Sequence, residues 1–307
     1  MRRSPVPSAF LIVSLMAAAP LFAHDSHRSV SVENDGNGSI TDCSQLRVSF
    51  DDQRVQVVSE EVTAVSGLRA LTLDARSSGG IRVVGWDQNR YAVTACKAVP
   101  SGLDASAIRI NLNGNEVSAD GPDSDYYVYY LVRAPRSATI DLRATNGPLS
   151  IEGTGGSITA RTKNGPISLR DVDGTVDADA VNGPISFSGN RGTVKLHAQN
   201  GPISVKLAGS AWEGGSFDAQ TSNGPLTLRL PRNYASGVVV ESDGHGPVSC
   251  KADACRAAYD AAFDRNRSRD DDYERPRRLE FGTASGSAAL HLSTSNGPIS
   301  IRDTDVE

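Results

Sequence analysis

A five-residue phrase returns seven times in this chain and constrains its fold more than any other feature. The first four copies, Asn146-Gly147-Pro148-Leu149-Ser150, Asn164-Gly165-Pro166-Ile167-Ser168, Asn182-Gly183-Pro184-Ile185-Ser186 and Asn200-Gly201-Pro202-Ile203-Ser204, are evenly spaced. Three more follow at longer intervals: Asn223-Gly224-Pro225-Leu226-Thr227, His245-Gly246-Pro247-Val248-Ser249 and Asn296-Gly297-Pro298-Ile299-Ser300. Each longer interval holds an insertion, around Gly209 to Ser216, Pro231 to Gly237 and Ala252 to Gly282. A fixed period of this kind marks stacked structural repeats and outweighs local propensity.

Around the phrases, apolar residues come in pairs two apart, and the pairs recur at half the period: Ile158/Ala160, Ile167/Leu169, Val176/Ala178, Ile185/Phe187, Val194/Leu196 and Ile203/Val205. Alternation at two makes strands with one buried face. Two strands in each period of about 18 residues predict an all-β fold, a single-domain parallel β-solenoid with two walls whose inner faces meet. Each turn advances about 4.8 Å, so the seven copies make a rod roughly 29 Å long. The glycine of the phrase is expected to take a positive φ at a corner, and the proline to open the next strand, where its missing N–H costs nothing. The stacked corner side chains Asn146, Asn164, Asn182, Asn200, Asn223, His245 and Asn296 are expected to hydrogen-bond from turn to turn as a ladder. Leu or Ile then points inward and Ser or Thr outward. Small inward residues such as Ala160, Ala178 and Ala198 predict a narrow interior, in keeping with an aromatic content of only 6% beside 29 Gly and 15 Pro.

On this reading residues 43–307 are the solenoid domain, with 144–302 its regular part. Residues 43–143 carry the alternation without the phrase, as in Leu71-Thr72-Leu73, Ile81-Arg82-Val83 and Tyr127 to Val132. They are expected to be irregular capping turns, because an open coil end exposes strand edges and core. The insertion 252–282 reads as a short helix, Ala254 to Asn266, packed on the core and followed by a mixed-charge run, Arg265 to Arg278, in solvent.

Residues 1–23 have the layout of a signal peptide: Arg2 and Arg3, an apolar run from Ala9 to Ala19, and a small residue, Ala23, at the expected cleavage point. The run is too short to cross a bilayer. No later stretch reaches that length, so no permanent membrane anchor is expected and the product is exported, periplasmic or secreted. Loss of Arg2 and Arg3 takes the net charge from -5 to -7. The following segment, 24–42, is polar and expected to be flexible. In an oxidising compartment the four cysteines suggest two disulfides, Cys43 with Cys96 and Cys250 with Cys255, each pair within its own region of the chain. A metal site is the rival reading, but C-x4-C with no companion His or second close pair is a weak spacing for one.

Four carboxylates, Asp171, Asp173, Asp177 and Asp179, are the strongest candidates for chemistry. Asp177 and Asp179 alternate outward on one strand, about 7 Å apart, a separation compatible with glycoside hydrolysis. The minimal turns offer no loops to build a deep cleft around them, and solvated surface carboxylates are the plainer account. Asp171-Val172-Asp173-Gly174 lacks the remaining ligands of a calcium loop. Of the five His, His24 and His27 fall near the expected mature terminus, and His197 and His291 point outward by parity. Each Asn-Gly-Pro leads into a strand, so no helix N-terminus is placed to hold phosphate, and no cofactor is expected. The net charge of -5 gives no footprint for nucleic acid. Outward pairs Ser168/Arg170, Ser186/Ser188, Ser204/Lys206 and Thr227/Arg229 interrupt a hydroxyl array with long charged side chains, which argues against ice binding.

Several features taken together resemble the bacterial "putative adhesin" family, also called the toastrack β-solenoid family. They are the signal peptide, Leu71 to Gly85 leading to Trp86-Asp87, Ala134-Pro135-Arg136 before Asp141-Leu142-Arg143-Ala144, and the serial Asn-Gly-Pro-Ile-Ser phrases, together covering Leu68 to Arg302. The resemblance implies an exported envelope protein without catalytic residues, an adhesin or an envelope-stress binding or scaffold protein. Its partner would be an envelope component, peptide or glycan, and the coil ends offer a route to end-to-end self-association. The chain departs from anchored members of the family in lacking a lipid-attachment cysteine or a later membrane helix. The alternative is a carbohydrate-active β-helix enzyme using the Asp171 to Asp179 cluster on an acidic polysaccharide.

Overall fold

The period-two alternation of the sequence is carried into strands that bury every second residue, as in Ser157–Asn164, where Ile158, Ala160 and Thr162 face inward. The computed structural model describes residues 30–34, 40–122, 126–243, 246–267, 276–283 and 290–304. The expected signal peptide and the corner residue His245 lie outside the described residues.

Strands β1 (Val30–Asn34), β2 (Leu46–Phe50) and β3 (Gln53–Val55) form a small antiparallel sheet. This corrects the expectation that 24–42 is loose throughout: Val30 and Val32 alternate with Ser31 and Glu33 and register against Phe50 and Val48. Cys43, Leu46, Val48 and Phe50 bury against Cys96, Ala98, Tyr127 and Tyr129 as a second core beside the main one. The Cys43–Cys96 disulfide joins the two parts across a sequence separation of 53, a closure that stabilises by about 4 kcal/mol through the unfolded chain.

Next come β4 (Val58–Val62), β5 (Ala70–Trp86), β6 (Ala92–Ala98), β7 (Arg109–Asn113), β8 (Glu116–Asp120) and β9 (Tyr127–Pro135). Strand β5 is 17 residues long because it runs through both walls. Leu71, Leu73 and Ala75 register with Ile140, Leu142 and Ala144 of the first wall, and Ile81 and Val83 with Leu149 and Ile151 of the second. Residues 70–86 are thus a turn of the coil, which corrects the reading of 43–143 as irregular throughout. The turn lacks the phrase because Ser78 stands opposite Asn146 and Gly79-Gly80 rounds the corner. Strands β8 and β9 lie parallel to the two halves of β5, and β7, β6 and β4 then continue antiparallel. These reversals close the parallel edges, which would otherwise present unpaired N–H and C=O groups.

The regular turns are β10 (Thr139–Asn146) and β11 (Leu149–Glu152), β12 (Ser157–Asn164) and β13 (Ile167–Arg170), β14 (Thr175–Asn182) and β15 (Ile185–Gly189), β16 (Thr193–Asn200) and β17 (Ile203–Leu207), and β18 (Phe217–Asn223) and β19 (Leu226–Leu230). First strands pair with first strands and second with second, all parallel. Their inward side chains meet in one core that also includes Trp212, Phe187 and Phe217 at the first insertion.

The corner owes its glycine to proximity. A Cβ on Gly165, Gly183, Gly201, Gly224 or Gly297 would collide with the carbonyl oxygen of the corner glycine one turn away. Positive φ, expected at every corner, occurs among the corner glycines at Gly147 alone (157°), and otherwise at the opposite bends, as at Gly174 (82°) and Gly192 (108°). Asn164, Asn182, Asn200, Asn223 and Asn296 each donate through Nδ2 to the Oδ1 of the neighbouring Asn, at 2.8 to 3.0 Å. A second row ties the corner from inside: Thr162, Thr221 and Thr294 donate their hydroxyls to Gly147, Gly201 and Gly224 carbonyls.

The C-terminal turns do not stack in sequence order. After β19 come β20 (Val238–Ser242), β21 (Val248–Cys250), helix α1 (Asp253–Arg267), β22 (Arg278–Phe281), β23 (Leu290–Asn296) and β24 (Ile299–Asp303). Strand β23 pairs parallel with both β18 and β20, and β24 with both β19 and β21, so the last turn of the chain is inserted between two earlier ones. This corrects the ladder order: Asn296 bonds directly to Asn223, and the corner at Gly246 stacks beyond that of Gly297. Beyond it β22 closes the edge of β20 antiparallel, while Ala254, Ala258, Tyr259 and Ala262 of α1 pack on the core. The Cys250–Cys255 disulfide pins the start of α1 to β21.

Two outcomes follow from these contacts. Asn182→Ala removes one donated and one accepted amide bond from an exposed ladder, and chemical denaturation should show a loss of about 1–2 kcal/mol. Leu292 is fully buried on the inserted strand, so Leu292→Ala should cost about 2–5 kcal/mol and increase proteolysis of the C-terminal turns.

Candidate functional site

Inward positions are filled by apolar side chains and corner-bonded threonines, so recognition falls to the outward rows. On the first wall these rows mix signs. One runs Thr72, Asp141, Thr159, Asp177, Lys195, Asp218, His291, and the next Asp74, Arg143, Arg161, Asp179, His197, Gln220, Ser293. Opposite charges meet across and along the strands, Arg143 with Asp141 at 2.6 Å and Arg161 with Asp177 at 3.1 Å, and His197 Nδ1 lies 3.0 Å from Asp179 Oδ2. His291 on the inserted β23 contacts Asp218 of β18 at 3.2 Å and Glu241 of β20 at 4.0 Å.

The second wall is built differently. Its first outward row is Arg82, Ser150, Ser168, Ser186, Ser204, Thr227, Ser300 and Ser249. The adjacent row is Val84, Glu152, Arg170, Ser188, Lys206, Arg229 and Arg302. Lys251 extends it, because its N–H continues the ladder to Ile301 O. The one carboxylate of these rows, Glu152, is bound by Arg82 at 2.8 Å. Among the described residues no ion pair engages Arg170, Lys206, Arg229, Arg302 or Lys251.

At the N-terminal end of this wall a cleft of about 1140 Å³ opens beneath the segment Ile40 to Ser44, lined also by Arg82, Val84, Trp86, Leu131 and Arg133. Arg82 is buried, and its Nε has no hydrogen-bond partner among the described residues. The guanidinium carbons of Arg90 and Arg133 lie 5.2 and 5.9 Å from the Trp86 ring centroid, within cation–π range.

The four aspartates singled out by sequence do not converge. Asp173 faces Arg191 at 3.4 Å, Asp177 faces Arg161, and Asp179 faces His197. Asp171 sits exposed in the preceding turn with φ of 51°. Among the described residues no group of three or more His, Cys, Asp or Glu is placed to hold a metal. Burial pushes the Tyr129 hydroxyl up to about 12 and raises those of Tyr127 and Tyr130 as well, so these phenols stay neutral. His24 and His27 lie outside the described residues. Sequence reasoning paired Ser204/Lys206 and Thr227/Arg229 as outward but did not extend the row to Arg302 and Lys251. That extension needs the register of the last turn.

No family model and no curated protein matches the chain. Among solved structures, it is similar to a putative cell adhesion protein from Clostridium sporogenes ATCC 15579 and to a putative adhesin from Bacteroides fragilis NCTC 9343. Each is 9% identical and matches over 81% of this chain; 100% of the first and 97% of the second are covered, with TM-scores of 0.32 and 0.35.

Proposed function

We propose that this protein is a non-enzymatic, exported cell-envelope β-solenoid that works as an adhesin-like binding scaffold. The observation that carries the reading is the second wall, where outward rows run in register over successive turns and present hydroxyls and uncompensated cations on one face. A stiff surface of this kind binds through many weak, repeated contacts and needs no reacting group. The two disulfides support an oxidising compartment. No helix among the described residues is long and apolar enough to cross a membrane. The rival, polysaccharide cleavage by the aspartates, requires carboxylates free to act on one bond, and three of the four are held separately, Asp173 and Asp177 by arginines and Asp179 by the His197 ring nitrogen.

Coating beads with the purified chain and scoring their attachment to bacterial envelopes tests the reading, together with product release from a panel of acidic polysaccharides. Attachment is expected, unchanged in Asp177→Asn/Asp179→Asn, with no product from either protein. Cleavage by the parent that the double variant loses would overturn it, as would absence of attachment.

A further inference from the structure

We infer that the second wall is a docking strip for a linear acidic polysaccharide laid along the axis of the coil; this names the ligand class for the binding reading above and rests on it. Lys206, Arg229 and Arg302 occupy the same position on three adjacent parallel strands, and Lys251, one residue past the end of β21, continues the row through its N–H bond to the Ile301 carbonyl. They therefore stand in a straight row at about 4.8 Å spacing. All four are exposed, and among the described residues none has an ion-pair partner. Arg170 adds a fifth cation two strands further along, beyond Ser188.

Like charges at directly opposed positions destabilise neighbouring strands. The first wall of the same coil compensates its like charges: Lys195 stands in register between Asp177 and Asp218, and where Arg143 and Arg161 stand opposite one another each is paired with a carboxylate, Asp141 and Asp177. The second wall keeps the repulsion in a chain whose net charge is -5. An anionic partner whose charges also recur along an extended chain relieves that repulsion along its whole length.

The neighbouring row selects among polyanions. Two residues earlier on the same strands lie Ser168, Ser186, Ser204, Thr227, Ser300 and Ser249; Ser186 and Ser249 donate to the Ile167 and Ile299 carbonyls and so offer oxygen lone pairs, and Ser300 already accepts from Arg302, a row of hydroxyl oxygens suited to sugar hydroxyls. No aromatic side chain stands in either row from Ser150 to Lys251 for bases to stack on, as single-stranded nucleic acid requires. Nor is there an apolar one to enter a bilayer interface, as a membrane-bound face requires.

The test is binding of the full purified chain to polygalacturonate, with dextran, a single-stranded oligodeoxynucleotide and phosphatidylglycerol vesicles as competitors. Polygalacturonate should bind, dextran should not, and affinity should fall as salt rises from about 50 to about 200 mM. Lys206→Gln/Arg229→Gln/Lys251→Gln should weaken binding at least about tenfold, flatten the salt dependence, and raise Tm by about 1–3 °C as repulsion is removed. Arg161→Gln/Lys195→Gln on the other wall should bind as the parent does. Equal binding by the triple variant, equal binding of dextran, or preference for the oligonucleotide or the vesicles would overturn the inference. Failure to bind polygalacturonate while coated beads still attach to envelopes would overturn the acidic glycan alone; failure of both would remove the binding reading with it.

Discussion

The structure depends on how closely one corner approaches the next. At each Asn-Gly-Pro the carbonyl oxygen of one glycine occupies the space that a Cβ on the next would need. That approach fixes the height of a turn at one strand spacing, brings the Asn amides within 2.8 to 3.0 Å of one another, and lets the inward threonines reach the corner carbonyls. Strand pairing sets the same rise on both walls, so corner and walls reinforce one geometry. Any side chain larger than hydrogen at this point would separate the turns and break both ladders at once.

Much of this could be read from the sequence because it is local. The period, the alternation, the inward Ile and Leu and the outward Ser are properties of single turns, and the amide ladder follows from their stacking. What could not be read is which turn lies next to which. Asn296-Gly297-Pro298-Ile299-Ser300 matches the copies at Asn182 and Asn200 residue for residue in type, so the phrase holds no information about its neighbours. The turn at residues 70–86 escaped for the opposite reason, since Ser78-Gly79-Gly80 does the work of the phrase without its letters. The small sheet of β1 to β3 depends on the distant side chains Cys96, Tyr127 and Tyr129, which no local pattern announces.

The candidate site divides the same way. That Lys206 and Arg229 face outward follows from parity alone. That Arg302 lies between Arg229 and Lys251 requires the inserted turn. The aspartates drew attention because carboxylates two apart suggest shared chemistry, yet the side chains that separate them, Arg161, Arg191 and His197, come from the turns stacked on either side.

Insertion of the last turn also has consequences for how the chain assembles. Until the segment from Leu290 to Asp303 arrives, β18 and β19 on one side and β20 and β21 on the other lack their common neighbours. Those contacts join positions as distant in sequence as Asn223 and Asn296. Closing loops of that length costs entropy before any burial repays it. The C-terminal turns are therefore expected to form after the regular turns from β10 to β19, which need only contacts from one turn to the next. In the finished fold the relation inverts: Leu290, Leu292, Ile299 and Ile301 are fully buried between strands on both sides, so the last segment to enter is held by two neighbours and locks the end of the coil. The cationic row crosses this seam, and its straightness depends on the seam being closed.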